Sequence, residues 1–262
     1  MAETTRIAVV QSRIERDIAS NGAHIRAMLD RAAAQGADVA LFPEGALSGY
    51  AKAQVQDWAQ IDWDRLATEQ ALIRSYAAGL GIIAVVGSAT PLKNRRPHNS
   101  LHVLPTAIRY DKRLLSYSEV SDWYSPGFEP RTFAQHGFSF GLTLCIEMQF
   151  PELFAGYEAL GVDCVLHAIY GMGPVGDIIL RGHAATTCLW IAAATCANAD
   201  TPASGIIGPD GQWLARCGAG IDIAVADLDR ADPTLDIALN KARPWRRVAR
   251  EGRIYRDAIR PE

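Results

Sequence analysis

The sequence predicts an α/β protein in which two β-sheets pack together with helices outside. Three observations lead there. Short β-branched and apolar runs alternate with segments whose apolar residues recur at helical spacing, the pattern of a layered α/β fold. That alternation is broken where residues 82–87 are followed by 99–104, and 204–208 by 212–216, so strand follows strand and a single doubly wound sheet fits less well. No Ser/Gly- or Pro-rich linker divides the 262 residues, which places residues 1–262 in one domain.

Residues 6–11 (RIAVVQ) form the first strand. Between 17 and 35, Ile25, Met28, Leu29, Ala32 and Ala33 share a helix face that Gly36 closes. Residues 38–42 (DVALF) are a buried strand running into Pro43-Glu44-Gly45 and a loop to Tyr50. Leu66, Ile73 and Ala77 mark a second helix, stopped by Gly79 and Gly81, before a strand at 82–87. Residues 99–104 and 107–110 read as a hairpin around Pro105-Thr106, and 111–131, aperiodic and holding Pro126-Gly127, as a functional loop. The strand 138–144 ends on Cys145. Pro151 suits the first position of the next helix, whose face Leu153, Phe154, Tyr157 and Leu160 ends at Gly161. A strand at 164–167, a helix at 177–187 and a strand at 190–196 follow, then strands at 204–208, 212–216 and 221–227 with a turn at 209–211. From about residue 243 the chain becomes a tail carrying Arg243, Arg246, Arg247, Arg250, Arg253, Arg256 and Arg260.

Composition excludes several classes. With 49% hydrophobic and 21% charged residues the chain has a globular balance, and a net charge of -3 gives no field for nucleic acid or an anionic membrane. No apolar run approaches the roughly 20 residues of a membrane span, and residues 1–6 hold no signal-peptide core. Five cysteines without C-x-x-C spacing argue against a disulfide framework or zinc ribbon and for a reducing cytoplasm. His98 and His102 fall on a turn and a strand, so they do not share a helix face for a metal. Only Trp245 and Tyr255 interleave the terminal arginines, so the tail reads as a solvated arm or one crossing to a partner subunit, not a nucleic-acid contact.

Four residues at strand ends or in adjoining loops carry usable chemistry: Glu44, Lys112, Glu119 and Cys145. A thiol where a strand turns into a helix faces the positive helix end, which lowers its pKa toward the thiolate. A carboxylate after DVALFP serves as its base. A lysine and the Ile146 N–H would hold the negative oxygen formed when sulfur attacks an acyl carbon. Cys, Glu and Lys together suit cleavage of an amide or nitrile through a covalent thiol adduct.

The order of Phe42-Pro43-Glu44 with Ser48-Gly49-Tyr50, Tyr110-Asp111-Lys112, and Leu144-Cys145-Ile146-Glu147 with Phe150-Pro151-Glu152 resembles the nitrilase superfamily of carbon–nitrogen hydrolases. Pro126-Gly127, Ala197-Asn198 and the run from Ser204 to Gly211 extend the resemblance over about residues 6 to 228. It implies a four-layer αββα sandwich, usually paired as a dimer across the helices beside the nucleophile, and a cofactor-free, metal-free hydrolase. It further implies that Glu44 is the general base, Cys145 the nucleophile that forms a thioester, and Lys112 the oxyanion holder with the Ile146 N–H. Glu119 resembles the family's second glutamate, which positions substrate. His167 and Tyr170 follow a strand where the family places pocket walls, and Tyr50 and Trp123 join them as candidate substrate contacts.

Departures from the family pattern bear on substrate. The histidine common after the lysine is absent from Lys112-Arg113-Leu114-Leu115, and Met148-Gln149 stands where an arginine is frequent. Met148 and Gln149 at the mouth cannot make a charge-assisted pair with a carboxylate, which disfavours a carbamoyl amino acid. The resulting expectation is a hydrolase of a small amide. Nitrile hydrolysis or acyl transfer to an amine would use the same residues, whereas a binding protein on the same fold would have lost Glu44, Lys112 or Cys145, and none is lost.

Overall fold

The computed structural model describes residues 4–197 and 202–256; Asn198 and Arg260, named above, lie outside them. The chain lays down β1 (Thr4–Gln11), α1 (Ile18–Ala34), β2 (Val39–Leu41), α2 (Trp63–Leu80), β3 (Ile83–Leu92), β4 (Arg95–Leu104) and β5 (Ile108–Asp111). A second series follows: β6 (Thr132–Gln135), β7 (Phe138–Leu144), α3 (Pro151–Ala159), β8 (Cys164–Ala168), α4 (Gly176–Thr187), β9 (Trp190–Ala194), β10 (Gly205–Ile207) and β11 (Trp213–Arg216). β12 (Asp222–Asp229), α5 (Arg243–Arg250) and α6 (Arg253–Arg256) complete it. Two six-stranded sheets result, in the orders β12-β1-β2-β3-β4-β5 and β11-β10-β9-β8-β7-β6. Each has a parallel centre and antiparallel flanks. β12 returns to the first sheet, pairing with β1 from Thr4↔Asp229 to Gln11↔Asp222.

Alternation along each strand explains the layers. Val9, Leu41, Val85 and Leu101 point between the sheets, where they meet Phe140, Leu142, Leu166 and Ala192. Their neighbours Ala8, Val10, Ala40 and Val86 point outward onto Ile25, Leu29 and Ile73 of α1 and α2. Val165 and Ile191 do the same beneath α3 and α4. Both faces of the central strands are covered, so these strands read as continuous apolar runs. Each buried Leu or Ile there is worth roughly 1.5–3 kcal/mol. The αββα expectation holds. Among the described residues no helix is long and apolar enough to cross a membrane.

Residues 132–135, to which the sequence assigned no element, form β6, with Phe133 as its one inward-pointing residue. Two local expectations need correction. The chain does not enter α3 directly from Cys145 but makes a 3₁₀ turn, Cys145–Gln149, first. The start of the arginine tail is not a solvated arm: α5 docks on this chain's own α3 and α4. Arg246 donates to the carbonyls of Ala185 (2.6 Å) and Thr186 (3.2 Å), Arg250 to Thr186 (3.1 Å), and Arg247 to that of Glu158 (2.9 Å). Helix C-termini leave carbonyls without intrahelical donors and carry partial negative charge, and the guanidinium groups answer both.

Candidate active site

Glu44 follows β2, and its backbone lies so close to β3 that a side chain at Gly87 would overlap the Pro43 carbonyl oxygen. The carboxylate is wholly buried. Its Oε1 accepts from Asn99 Nδ2 of β4 (2.7 Å) and Lys112 Nζ (2.8 Å), and its Oε2 from the Tyr170 N–H (3.2 Å). Lys112 leaves the end of β5, its own N–H bonded to the Asn99 carbonyl at 2.8 Å. Its ammonium also donates to Glu119 Oε1 (2.8 Å) and Oε2 (3.1 Å), so one buried cation bridges two carboxylates. Glu119 stands in a single π turn, Glu119–Trp123, and accepts from the Ser116 N–H at 2.8 Å.

The two carboxylates titrate in opposite directions. Burial raises Glu44 above the ordinary range, Lys112 opposing and the Glu119 charge adding to it. Glu119 is less enclosed, and Lys112 with the Ser116 N–H outweighs its burial and holds it below that range. Lys112 stays protonated, raised well above its usual value because Glu44, Cys145 and Glu119 outweigh its burial.

Cys145 follows β7 with φ +46, in the left-handed region, which costs a non-glycine residue of order 1 kcal/mol or more. The surroundings hold it there. Glu147, wholly buried, accepts from the N–H groups of Leu144 (2.7 Å), Arg113 (2.7 Å) and Leu114 (3.1 Å) and from the Tyr110 hydroxyl (2.7 Å). One carboxylate therefore ties the cysteine turn to the residues just after Lys112. The thiol lies within the field of Glu44 and Lys112. Ile146 opens the turn, where a backbone N–H has no intrahelical acceptor.

The expected helix-end thiolate is overturned. Burial pushes the Cys145 thiol up, and the charges of Glu44 and Glu119 push the same way against Lys112. The intervening 3₁₀ turn also sets α3 away from the sulfur. The resting sulfur is held toward the thiol, beside Glu44. Met148 is corrected too: the same turn carries it back under the sheet, buried against Met172 and α4 rather than at the mouth, while Gln149 is exposed.

The remaining sequence candidates fall in separate places. Tyr50 and Tyr170 stack with centroids 4.3 Å apart, Gln54 Nε2 donates to the Tyr170 hydroxyl at 3.0 Å, and the Tyr50 hydroxyl feels Glu44, Glu119 and Cys145. Trp123 is half-buried, with its carbonyl accepting from Trp58 Nε1 at 2.8 Å. His167 lies on the helix-facing side of β8, wholly buried, with Nδ1 2.8 Å from Thr143 Oγ1. His98 bonds the Ser125 carbonyl, and His102 sits between Gln70 and Thr90. Among the described residues no group of three His, Cys, Asp or Glu side chains is arranged to hold a metal. Asn99, Tyr110 and Glu147 complete the site without having been singled out as its members; the acid two places after Cys145 was the one visible signal.

Comparison with known proteins agrees with this geometry. The sequence profile of the carbon-nitrogen hydrolase family matches residues 6–235. The chain belongs to that family. A carbon-nitrogen hydrolase of this kind acts on C–N bonds other than peptide bonds. The omega-amidase NIT2 of Danio rerio is 24% identical over 272 residues, covering 91% of this chain and 94% of the relative. An (R)-stereoselective amidase of Pseudomonas sp is 30% identical over 144 residues, 54% of this chain and 51% of that one. Among solved structures, an amidase of Nesterenkonia sp. AN1 superposes with TM-score 0.77 at 25% identity, covering 92% of this chain and 99% of the other. A cysteine-to-alanine variant of that amidase in complex with butyramide aligns with TM-score 0.78 at 23% identity, 94% of this chain and 95% of the other.

Proposed function

We propose that this carbon–nitrogen hydrolase is an amidase that cleaves a small amide through a Cys145 thioester. The observation that carries this reading is the buried Lys112 ammonium bridging Glu44 and Glu119 beside a cysteine at positive φ. Glu44 takes the thiol proton as sulfur attacks the amide carbon, and its raised pKa makes it a stronger base than an exposed carboxylate. The carbonyl electrons move to oxygen, where Lys112 Nζ and the Ile146 N–H stabilise the charge. Collapse breaks the C–N bond, and the leaving nitrogen takes the proton from Glu44. Water then attacks the thioester, Glu44 receives its proton, and sulfur leaves as the thiol with the acid as product. Glu119 holds Lys112 in place, and the Tyr50–Tyr170 stack forms one wall for the acyl group.

The named relatives act on amides in the words that describe them, and butyramide is bound by one of the structural neighbours. Those facts support a short acyl amide here. The decisive experiment is a panel of amides and nitriles with ammonia detection. Release of acid and ammonia from amides supports the reading; ammonia from nitriles alone replaces it with a nitrilase, and turnover by Cys145→Ala sinks the thioester. A homodimer across α3 and α4 is part of the proposal, supported by exposed Leu160, Val175 and Ile178. Sedimentation as a monomer would remove it. Five cysteines without C-x-x-C spacing favour a reducing compartment, the cytoplasm.

A further inference from the structure

Glu147 anchors the near end of the Cys145–Gln149 turn, and the far end is held by α4. His183 of α4 places Nε2 2.8 Å from the Met148 carbonyl oxygen. A carbonyl only accepts, so Nε2 carries the proton and the ring is a donor toward the turn. Its orientation is fixed from the side: Phe154 of α3 stacks on it at 4.0 Å and 12°. His167 packs on the same phenyl ring at 6.2 Å, held by Thr143 on β7. The Met148 side chain is gripped as well, since a Cβ at Gly176 would collide with Met172 and touch Met148. α4 thus holds Met148 by carbonyl and side chain together, three residues beyond the nucleophile.

We propose that His183 is a positioning residue of the reaction: its bond to the Met148 carbonyl sets the pitch of the 3₁₀ turn, and so the aim of Cys145 Sγ and the Ile146 N–H. The inference rests on the thioester reading above. It follows from a general constraint. A five-residue turn that starts from a strained φ keeps its geometry only if both ends are fixed, and His183 supplies the donor at the second end. The residue touches neither substrate nor sulfur in this arrangement and acts through the backbone.

The test uses His183→Leu and His183→Gln in the full chain. Leucine fills much of the volume without a donor, whereas the glutamine amide returns an N–H near the position of Nε2. His183→Leu is expected to lower kcat about tenfold to a hundredfold with KM changed by less than about threefold, the pattern of a misaimed reacting group. It should slow iodoacetamide alkylation of Cys145 in parallel. His183→Gln should recover most of both losses at an equal melting temperature. Equal kcat in the two variants, or wild-type alkylation rates in both, overturns the proposal. Should His183→Leu fail to fold, His183→Met, also without an N–H donor, carries the same comparison. If the wild type hydrolyses no amide, the thioester reading fails, while the alkylation rates still judge the positioning role by themselves.

Discussion

Glu44 and Glu158, two of the buried glutamates that meet cations, do so with opposite consequences. Glu44 shares Lys112 with Glu119, and the lysine is as enclosed as its partner, both side chains at 0% exposure. Glu158 is equally hidden at 2%, but its partners Arg247 and Arg250 remain 43% and 40% exposed. In the first cluster every charge depends on the others, because none can turn to water. In the second the arginines stay hydrated and also bond the ends of α3 and α4. Full enclosure of the cation separates the proposed reactive cluster from the other, which is a fastening.

The largest effect that sharpens this contrast is chemical. Cys145→Ala should lower turnover by about 10⁴-fold or more while the urea midpoint stays near wild type, since only a sulfur is removed. Retained turnover on ammonia assay would break the reading of the first cluster. Lys112→Met comes next, because it strands two buried carboxylates. A loss of about 3–5 kcal/mol by urea denaturation is expected, with activity lost as well. Glu158→Gln should cost only about 1–2 kcal/mol and leave kcat unchanged, as its arginines can turn to solvent. Equal destabilisation by these two substitutions would erase the contrast.

Acidity separates the carboxylates within the first cluster. Glu44, raised by burial, should place the acid limb of kcat/KM above the ordinary carboxylate pKa of about 4.3. Glu119 has the opposite sign: its folded pKa lies below the unfolded one. Its stabilisation is therefore present above that ordinary value and lost as pH falls through the folded value. Glu119→Gln should flatten the acid side of a urea stability profile; an unchanged acid side would contradict the Lys112 pairing. The smallest effect belongs to the rim of the second cluster. Arg250→Ala is expected to lower stability by less than about 1 kcal/mol, by a margin that shrinks in high salt.

How much of this was legible follows from where each signal sits. The layers were readable because both faces of the central strands are buried, giving unbroken apolar runs such as residues 82–86 and 190–194. Glu44, Lys112 and Cys145 were readable because each stands at a strand end in a local motif. Glu147 and Asn99 were not read as parts of the site, since their meaning lies in partners 37 and 55 residues away. The docking of α5 was hidden for a related reason: its acceptors are backbone carbonyls, which every residue has. The thiol misled in the other direction. Local sequence pointed to a helix end, whereas burial, with two distant carboxylates adding to it, pushes the thiol up.

The return of β12 to β1 has a consequence for synthesis. Thr4 pairs with Asp229, so β1 waits for the much later β12 before its outer edge is covered. Until then residues 4–11 present unpaired N–H and C=O groups on a strand rich in β-branched residues, a template for association between nascent chains. The first sheet can be finished only after translation has passed β12.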